Sequence, residues 1–361
     1  MRCFVKMIVL LLAAGYSTPV RAIDQIQLHG SKDIVRGQIL EISPTEVKID
    51  KNRIEDTIAV NEINYIVFDR EPSELTKGRK LALDGKYSDA LEMLKTVKRD
   101  EITGANKPQV DQDVDFYTAY CTTQLALGGV VPVADGGGLM QAFFKNNKSN
   151  YHYLESAELM GDLLVAFGVE AQRGADKTKQ ASAPQLFNNA MNCYKIAGQA
   201  PWSGADVGLN LKRGRALLVQ KKTDEALKAF QSVIDGAAGP KAQELKLAAT
   251  LGKAQALAAN NQAEEGIKLV DGVIKSTPKT NMDLLAQAYL ALGACHRAAK
   301  MPHDAVLDYL RVDLVYSQNP QAHAEALAAL AQLWLSLSRP DRARDAAARL
   351  SNRYPNSIWA R

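Results

Sequence analysis

Histidine and cysteine are the residue types in this chain of 361 residues that most readily perform catalysis or hold a metal ion. The five histidines form no His-Glu-x-x-His pattern, and no two cysteines have the spacing of a zinc site. No Gly-x-Ser-x-Gly nucleophile elbow is present. His296 and His303 flank a predicted turn between helices, where they could converge on a metal. We interpret them as ordinary helix residues and predict no catalytic residue, no metal site and no cofactor.

Glycine-rich segments are a second possible source of chemistry, because backbone amides before a helix can bind an anion. The segment Gly128 to Gly138 ends in three consecutive glycines ahead of a predicted helix. The phosphate-binding pattern Gly-x4-Gly-Lys-Ser/Thr does not occur, since Gly85-Lys86 is followed by tyrosine and Gly252-Lys253 by alanine. We therefore interpret Gly128 to Gly138 as a flexible loop between helices.

The first 22 residues have the pattern of a secretory signal peptide. Arg2 and Lys6 precede the short apolar run Met7 to Ala14, and Val20-Arg21-Ala22 supplies small residues for cleavage. Tyr16 stands where an acylated cysteine would make a lipoprotein. We therefore predict an exported protein without a lipid anchor, located in the periplasm, the cell envelope or outside the cell.

Removal of this segment changes the net charge of the chain. Its three basic residues and lack of acids mean that the formal net charge falls by three, from +4 to +1. Binding to nucleic acid depends on many cationic contacts to phosphates. We therefore predict no nucleic-acid partner, and we predict no transmembrane segment because no later run of apolar residues is long enough.

Three cysteines follow the predicted signal peptide: Cys121, Cys193 and Cys295, each on a separate predicted helix. In an exported protein two of them could form a disulfide. Free cysteine is also among the most buried residue types, so we favour three small buried helix residues and leave the pairing open.

The elements that would position any site begin with a β module. Asp24 to Arg70 alternates apolar and polar residues, is rich in β-branched side chains, and contains turn residues at Gly30, Ser43-Pro44 and Lys51-Asn52. Four or five short strands in this length predict a small barrel.

Repeated helical hairpins follow. The segment Gly214 to Val233 has two apolar helical stripes separated by a polar break, and a glycine or alanine recurs twelve residues before a second small residue in four places. Prolines punctuate the units at intervals of 35 to 42 residues, and they are Pro201, Pro240, Pro278, Pro320 and Pro355. Such a period predicts stacked helical hairpins.

These residues resemble tetratricopeptide repeats. Gly293, Ala305 and Tyr309 match the family pattern of a small residue in the first helix, a second small residue, and an aromatic residue four positions later. The β module resembles the first half of an Sm-like or SH3-like barrel, although the Asp and Asn with which Sm proteins hold RNA are not matched. The resemblance implies a mostly helical fold, an α-solenoid preceded by an SH3/Sm-like module.

The predicted organisation has three parts: a signal peptide (1–22), a β module (23–70) and a solenoid (71–361). Within the solenoid, the regular hairpins lie near 71–102, 207–239, 245–278, 286–320 and 324–357. Residues 103–200 carry divergent helices, among them a long helix from Tyr151 to Phe167 that is followed by a polar insertion from Val169 to Ala183.

In tetratricopeptide repeat proteins the first helix of each hairpin lines a concave surface. By position, this resemblance puts Arg215, Lys246, Lys253 and Arg297 on or near such a groove. Lys246 and Lys253 are seven residues apart and therefore share a helix face. These side chains either form a basic trough for an acidic peptide segment or lie on a solvated face.

We therefore predict a non-catalytic scaffold that binds another envelope or extracellular protein in its concave groove. The alternatives are a structural subunit of an envelope assembly and, third, an enzyme or enzyme accessory whose site has no recognisable pattern.

Overall fold

A computed structural model describes residues 23–202, 204–239 and 242–360. The predicted signal peptide lies outside the described residues. The described chain consists of a small antiparallel sheet followed by paired helices, which confirms the predicted fold class.

The five strands are β1 (Asp24–Leu28), β2 (Ile34–Ile42), β3 (Glu46–Lys51), β4 (Ile54–Ala59) and β5 (Ile63–Val67). They pair in the order β4-β3-β2-β1-β5, and every pair is antiparallel. A single turn of 3-10 helix, Val60–Glu62, joins the last two strands. Because alternate side chains point to one face, Ile26, Val47 and Ile49 are fully buried. The sheet is thus loosely SH3-like.

Fourteen helices follow within the described ranges. They are α1 (Ser73–Leu83), α2 (Tyr87–Lys95), α3 (Lys107–Leu127), α4 (Val133–Asn146), α5 (Tyr153–Arg173), α6 (Lys177–Ala197), α7 (Ala205–Val219), α8 (Thr223–Gly236), α9 (Ala242–Ala259), α10 (Ala263–Ser276), α11 (Met282–Ala298), α12 (Pro302–Leu314), α13 (Pro320–Ser336) and α14 (Pro340–Arg353). Consecutive helices pack against each other as hairpins, and neighbouring hairpins stack. No helix in these ranges is both long and apolar enough to cross a membrane.

Glycines in the first helices allow the hairpins to pack closely. A Cβ atom on Gly214 would lie 2.6 Å from the Phe230 ring, and one on Gly252 would lie 2.4 Å from the same ring. Phe230 on α8 is fully buried between α7 and α9. The same relation holds between Gly293 and Tyr309, at 2.8 Å. The small residues that reveal the repeat are therefore the spaces into which large side chains of the second helices fit.

The structure corrects the prediction that Gly128 to Gly138 is a loop. Helix α4 begins at Val133, and the glycine triplet lies inside it. A Cβ atom on Gly137 would lie 2.7 Å from the Phe167 ring of α5. The triplet thus permits close packing between helices and is not a flexible connection.

The predicted polar insertion Val169 to Ala183 is also mainly helical. Helix α5 continues to Arg173 and α6 begins at Lys177. The Asp176 carboxylate accepts hydrogen bonds from the amides of Thr178 and Lys179, so it caps α6. The two helices form the most extensive hairpin of the solenoid.

A buried ion cluster lies at the start of the solenoid, next to the end of the β module. Arg79 of α1 donates to both carboxylate oxygens of Glu71, at 2.8 and 3.0 Å, and to Asp113 of α3 at 2.9 Å. The Tyr151 hydroxyl also donates to Asp113, at 3.1 Å. One hydrophobic cluster extends from Ile26 in β1 into α7. The predicted boundary near residue 70 thus marks a change of secondary structure within one continuous core.

The C-terminal tail, residues 354–360, closes the solenoid into a ring. The Asn356 amide donates to the Gly129 carbonyl at 3.1 Å, and its side-chain amide donates to the Val130 carbonyl at 3.0 Å. Gly129 has a φ of +74°, and a Cβ atom there would lie 2.7 Å from Ser357. Ile358 packs against hydrophobic residues of α5 and α6. The last hairpin is thereby joined to the α3–α4 connection.

The three described cysteines are buried free thiols. Burial raises the pKa of Cys121 and of Cys295 to about 12. They therefore behave as small core residues.

Candidate functional site: the channel inside the ring

The first helices of the hairpins line the inside of the ring. Lining residues come mainly from α3, α5, α7, α9, α11 and α13, together with the tail. The larger cavity has a volume of about 1040 Å³. A second cavity of about 630 Å³ adjoins it and shares residues such as Arg215 and Glu325. Sites for small molecules usually enclose about 300–1000 Å³, so the channel has room for a longer ligand.

Three arginines, Arg173, Arg215 and Arg297, converge on one carboxylate in the channel, and we call them the basic cluster. They come from α5, α7 and α11, and the carboxylate is that of Glu325 on α13. Arg215 also donates a hydrogen bond to Gln287 of α11, across the channel from α7, at 2.9 Å.

Glu325 is half-buried, and the channel walls surround it. Burial raises the pKa of Glu325 to about 7, and the charges of Arg173, Arg297 and Arg215 oppose this effect. Within the part of the chain that the structure describes, no arginine nitrogen lies within 4.0 Å of this carboxylate. The guanidinium groups are thus close enough to act on Glu325 through their charge, yet they leave space for a ligand between them.

Only two of the four predicted groove residues line the channel. Arg215 and Arg297 belong to its wall. Lys253 follows Gly252 and is therefore rotated by about 100° around α9. Its ammonium group donates to Gln231 of α8 at 2.9 Å. Lys246 shares that helix face, so neither lysine joins the basic cluster.

The opposite end of the channel is acidic. Glu155, Glu158 and Asp162 lie on α5 and line the cavity, and we call them the acidic cluster. Lys212 of α7 pairs with Glu158 at 2.6 Å and also with Asp162. The Tyr194 hydroxyl donates to Asp162 at 2.8 Å. Polar side chains from α6 and α7 therefore fix the position of Asp162.

Three further residues contribute to the site, and none was predicted from the sequence. Arg173 fell within the supposed insertion, Glu325 resembled other helix acids, and Trp359 belongs to the tail. In the structure the Arg173 guanidinium lies 4.0 Å from the centre of the Trp359 ring and donates to the Ile358 carbonyl at 3.3 Å. Ring closure brings these residues together from distant parts of the chain, so no local spacing could indicate them.

His296, which is partly buried, and His323, which is buried, have structural partners. His296 Nδ1 lies 2.6 Å from Asp308, and His323 Nε2 lies 2.9 Å from Asp313. Asp313 also accepts from Arg349 at 2.8 Å. Across residues 23–202, 204–239 and 242–360, no group of three or more metal-binding side chains could hold an ion.

Comparison with solved structures identifies the fold. A tetratricopeptide repeat protein from Parabacteroides merdae covers 77% of this chain and 91% of its own length, with 13% identity and a TM-score of 0.50. A Rap protein complexed with Competence and Sporulation Factor covers 79% of this chain and 76% of its own, with 12% identity and a TM-score of 0.51. No protein-family model and no curated protein sequence matches the chain. The helical part therefore has the fold of tetratricopeptide repeat proteins.

Proposed function

We propose that this protein is an exported, non-catalytic adaptor that binds a segment of another envelope or extracellular protein inside its channel. The observation that carries the proposal is the channel itself. Its volume, its mixture of apolar and charged walls, and the three arginines that lie near the Glu325 carboxylate are features of a ligand site.

The fold supports the same proposal. The Rap protein, which shares this fold at a TM-score of 0.51, was solved in complex with another molecule, Competence and Sporulation Factor. A solenoid presents a long inner surface on which one partner can contact several hairpins at once. We extend that mode of binding to this chain.

Export is supported by residues 1–22, whose sequence has the charge, length and small residues of a signal peptide. Mass spectrometry of the protein recovered from the cell envelope tests this part. We expect a mature chain that begins near Ile23 and carries no acyl group. An intact first segment on all of the protein would overturn the proposed location.

Binding inside the channel is tested by blocking it. Ala298 is exposed at the end of α11 and lines the channel, whereas Ala347 is exposed on α14, outside that lining. We expect Ala298→Trp to abolish capture of a partner from envelope extract and Ala347→Trp to leave capture unchanged. Equal capture by both variants would contradict channel binding. If envelope proteins co-purified in stoichiometric amounts with both variants, the protein would be a structural subunit of an assembly.

A further inference from the structure

Helix α5 extends from the acidic cluster to the basic cluster and contributes residues to both. Glu155, Glu158 and Asp162 stand in its first half, and Arg173 is its last residue. All four line the cavity, at spacings that keep them on the same side of the helix. At a rise of about 1.5 Å per residue, Glu155 and Arg173 are about 27 Å apart along α5.

The acidic cluster has a net negative charge. Lys212 offsets one of its three carboxylates, because its ammonium group lies between Glu158 and Asp162. The Glu155 carboxylate pairs with His152 Nδ1 at 2.9 Å, and 47% of its side chain remains exposed. This end of the channel can therefore attract an ammonium or guanidinium group.

The basic cluster has the opposite sign. Three guanidinium groups surround one carboxylate, and burial raises the pKa of that carboxylate to about 7. Arg215 and Arg297 are exposed to the solvent inside the channel. Guanidinium groups bind carboxylates through charge-assisted hydrogen bonds.

The wall between the clusters is apolar. Leu159, Val165, Ala166 and Val169 of α5 line this stretch, and Leu218 of α7 contributes to the cavity. Such a wall accepts apolar side chains of a ligand.

We infer that the channel binds an extended peptide segment of about eight residues in one direction, with its amino or basic end at the acidic cluster and its carboxyl or acidic end at the basic cluster. The length follows from about 27 Å of channel and about 3.3 Å per extended residue. This inference rests on the proposed function and adds the chemical class and polarity of the bound segment.

The experiment offers the mature full-length protein a random mixture of eight-residue peptides with free termini. The peptides retained at low ionic strength are identified by mass spectrometry. We expect enrichment of lysine and arginine in the first positions and of aspartate and glutamate in the last positions. Salt should weaken retention, because exposed charges are screened within about 8–10 Å at physiological ionic strength.

Three variants assign the polarity to the clusters. Arg215→Gln with Arg297→Gln should remove the preference for acidic last positions and weaken the best retained peptide about tenfold. Glu155→Gln with Glu158→Gln should remove the preference for basic first positions. Lys246→Gln with Lys253→Gln carries the same change of charge as the first variant, lies outside the basic cluster, and should leave both preferences intact.

The outcomes separate the two proposals. Retention of peptides with the reversed polarity, or of peptides without any charge polarity, would overturn the directional inference and leave channel binding in place. Failure of the protein to retain any peptide above the level of a chain blocked by Ala298→Trp would overturn the proposed function as well. If the Lys246 and Lys253 variant lost the preference for acidic last positions as completely as the Arg215 and Arg297 variant, the basic cluster would not be the source of that preference.

Discussion

Glu325 places a titratable carboxyl group among three arginines, and its pKa of about 7 gives the folded protein a distinct response to pH. A carboxyl group whose pKa is higher in the folded than in the unfolded chain holds its proton more tightly when folded. The stabilising contribution of Glu325 to the free energy of unfolding is therefore fully present below about pH 4.5, and it is lost as the pH rises through about 7.

Glu325→Gln should remove this contribution. The free energy of unfolding of the variant minus that of the parent should be larger at about pH 8 than at about pH 4. The reason is that the parent carries a buried charge only at the higher pH. Thermal melting across this range measures the difference. The matched control is Glu55→Gln on the exposed edge of β4, and a difference that does not vary with pH for Glu325→Gln would contradict this assignment.

Two glycines of helix α10 distinguish packing from helix propensity at the scale of an element. A Cβ atom on Gly266 would lie 2.7 Å from the Ala254 carbonyl oxygen and 2.9 Å from the Cys295 sulfur, whereas one on Gly272 would meet nothing within 4 Å. Gly266→Ala should lower the free energy of unfolding by about 1–3 kcal/mol through overpacking. Gly272→Ala should raise it by about 0.5–1 kcal/mol, because alanine favours the helix.

Urea denaturation of the two variants checks this prediction, and each serves as the control for the other. Both substitutions add one methyl group to the same helix, so intrinsic helix propensity alone would shift both proteins in the same direction. Shifts of the same sign would show that α9, α10 and α11 do not pack as closely as described.

The elements were largely predictable from the sequence, since alternation over Asp24 to Arg70 indicates strands and the recurring small residues indicate hairpins. The glycine triplet at 136–138 was misinterpreted because its packing partner, Phe167, lies on another helix. The limits of α5 and α6 were misjudged for a similar reason, since packing overrides the polar composition around Arg173.

The site was predictable only in part. The expectation that first helices line the groove selected four residues. Arg215 and Arg297 do line the channel, whereas Lys246 and Lys253 lie on the side of α9 that faces α8. A difference of one residue rotates a side chain by about 100°, and only the packed structure shows which direction faces the channel. The association of Arg173 with Glu325 required closure of the ring.

At the scale of the whole molecule, the tail contacts the α3–α4 connection, and we predict that these contacts help to keep the inner surface a closed channel. A chain that ends at Pro355 lacks the Asn356 hydrogen bonds and the Trp359 ring. We expect its radius of gyration, measured by X-ray scattering in solution, to increase as the last hairpin moves away from the α3–α4 connection. A chain lacking only Arg361 is the control, and identical scattering from both chains would show that the tail does not hold the ring closed.

Photo-crosslinking in the producing cell tests the central claim, that the channel holds a protein partner, most directly. A photoreactive residue is placed at Gln255, which lines the channel on α9, or at Lys268, which is exposed on α10 of the same hairpin. We expect a protein adduct from position 255 and none above background from position 268. An adduct only from position 268, or equal adducts from both, would place the partner outside the channel and contradict the proposed function.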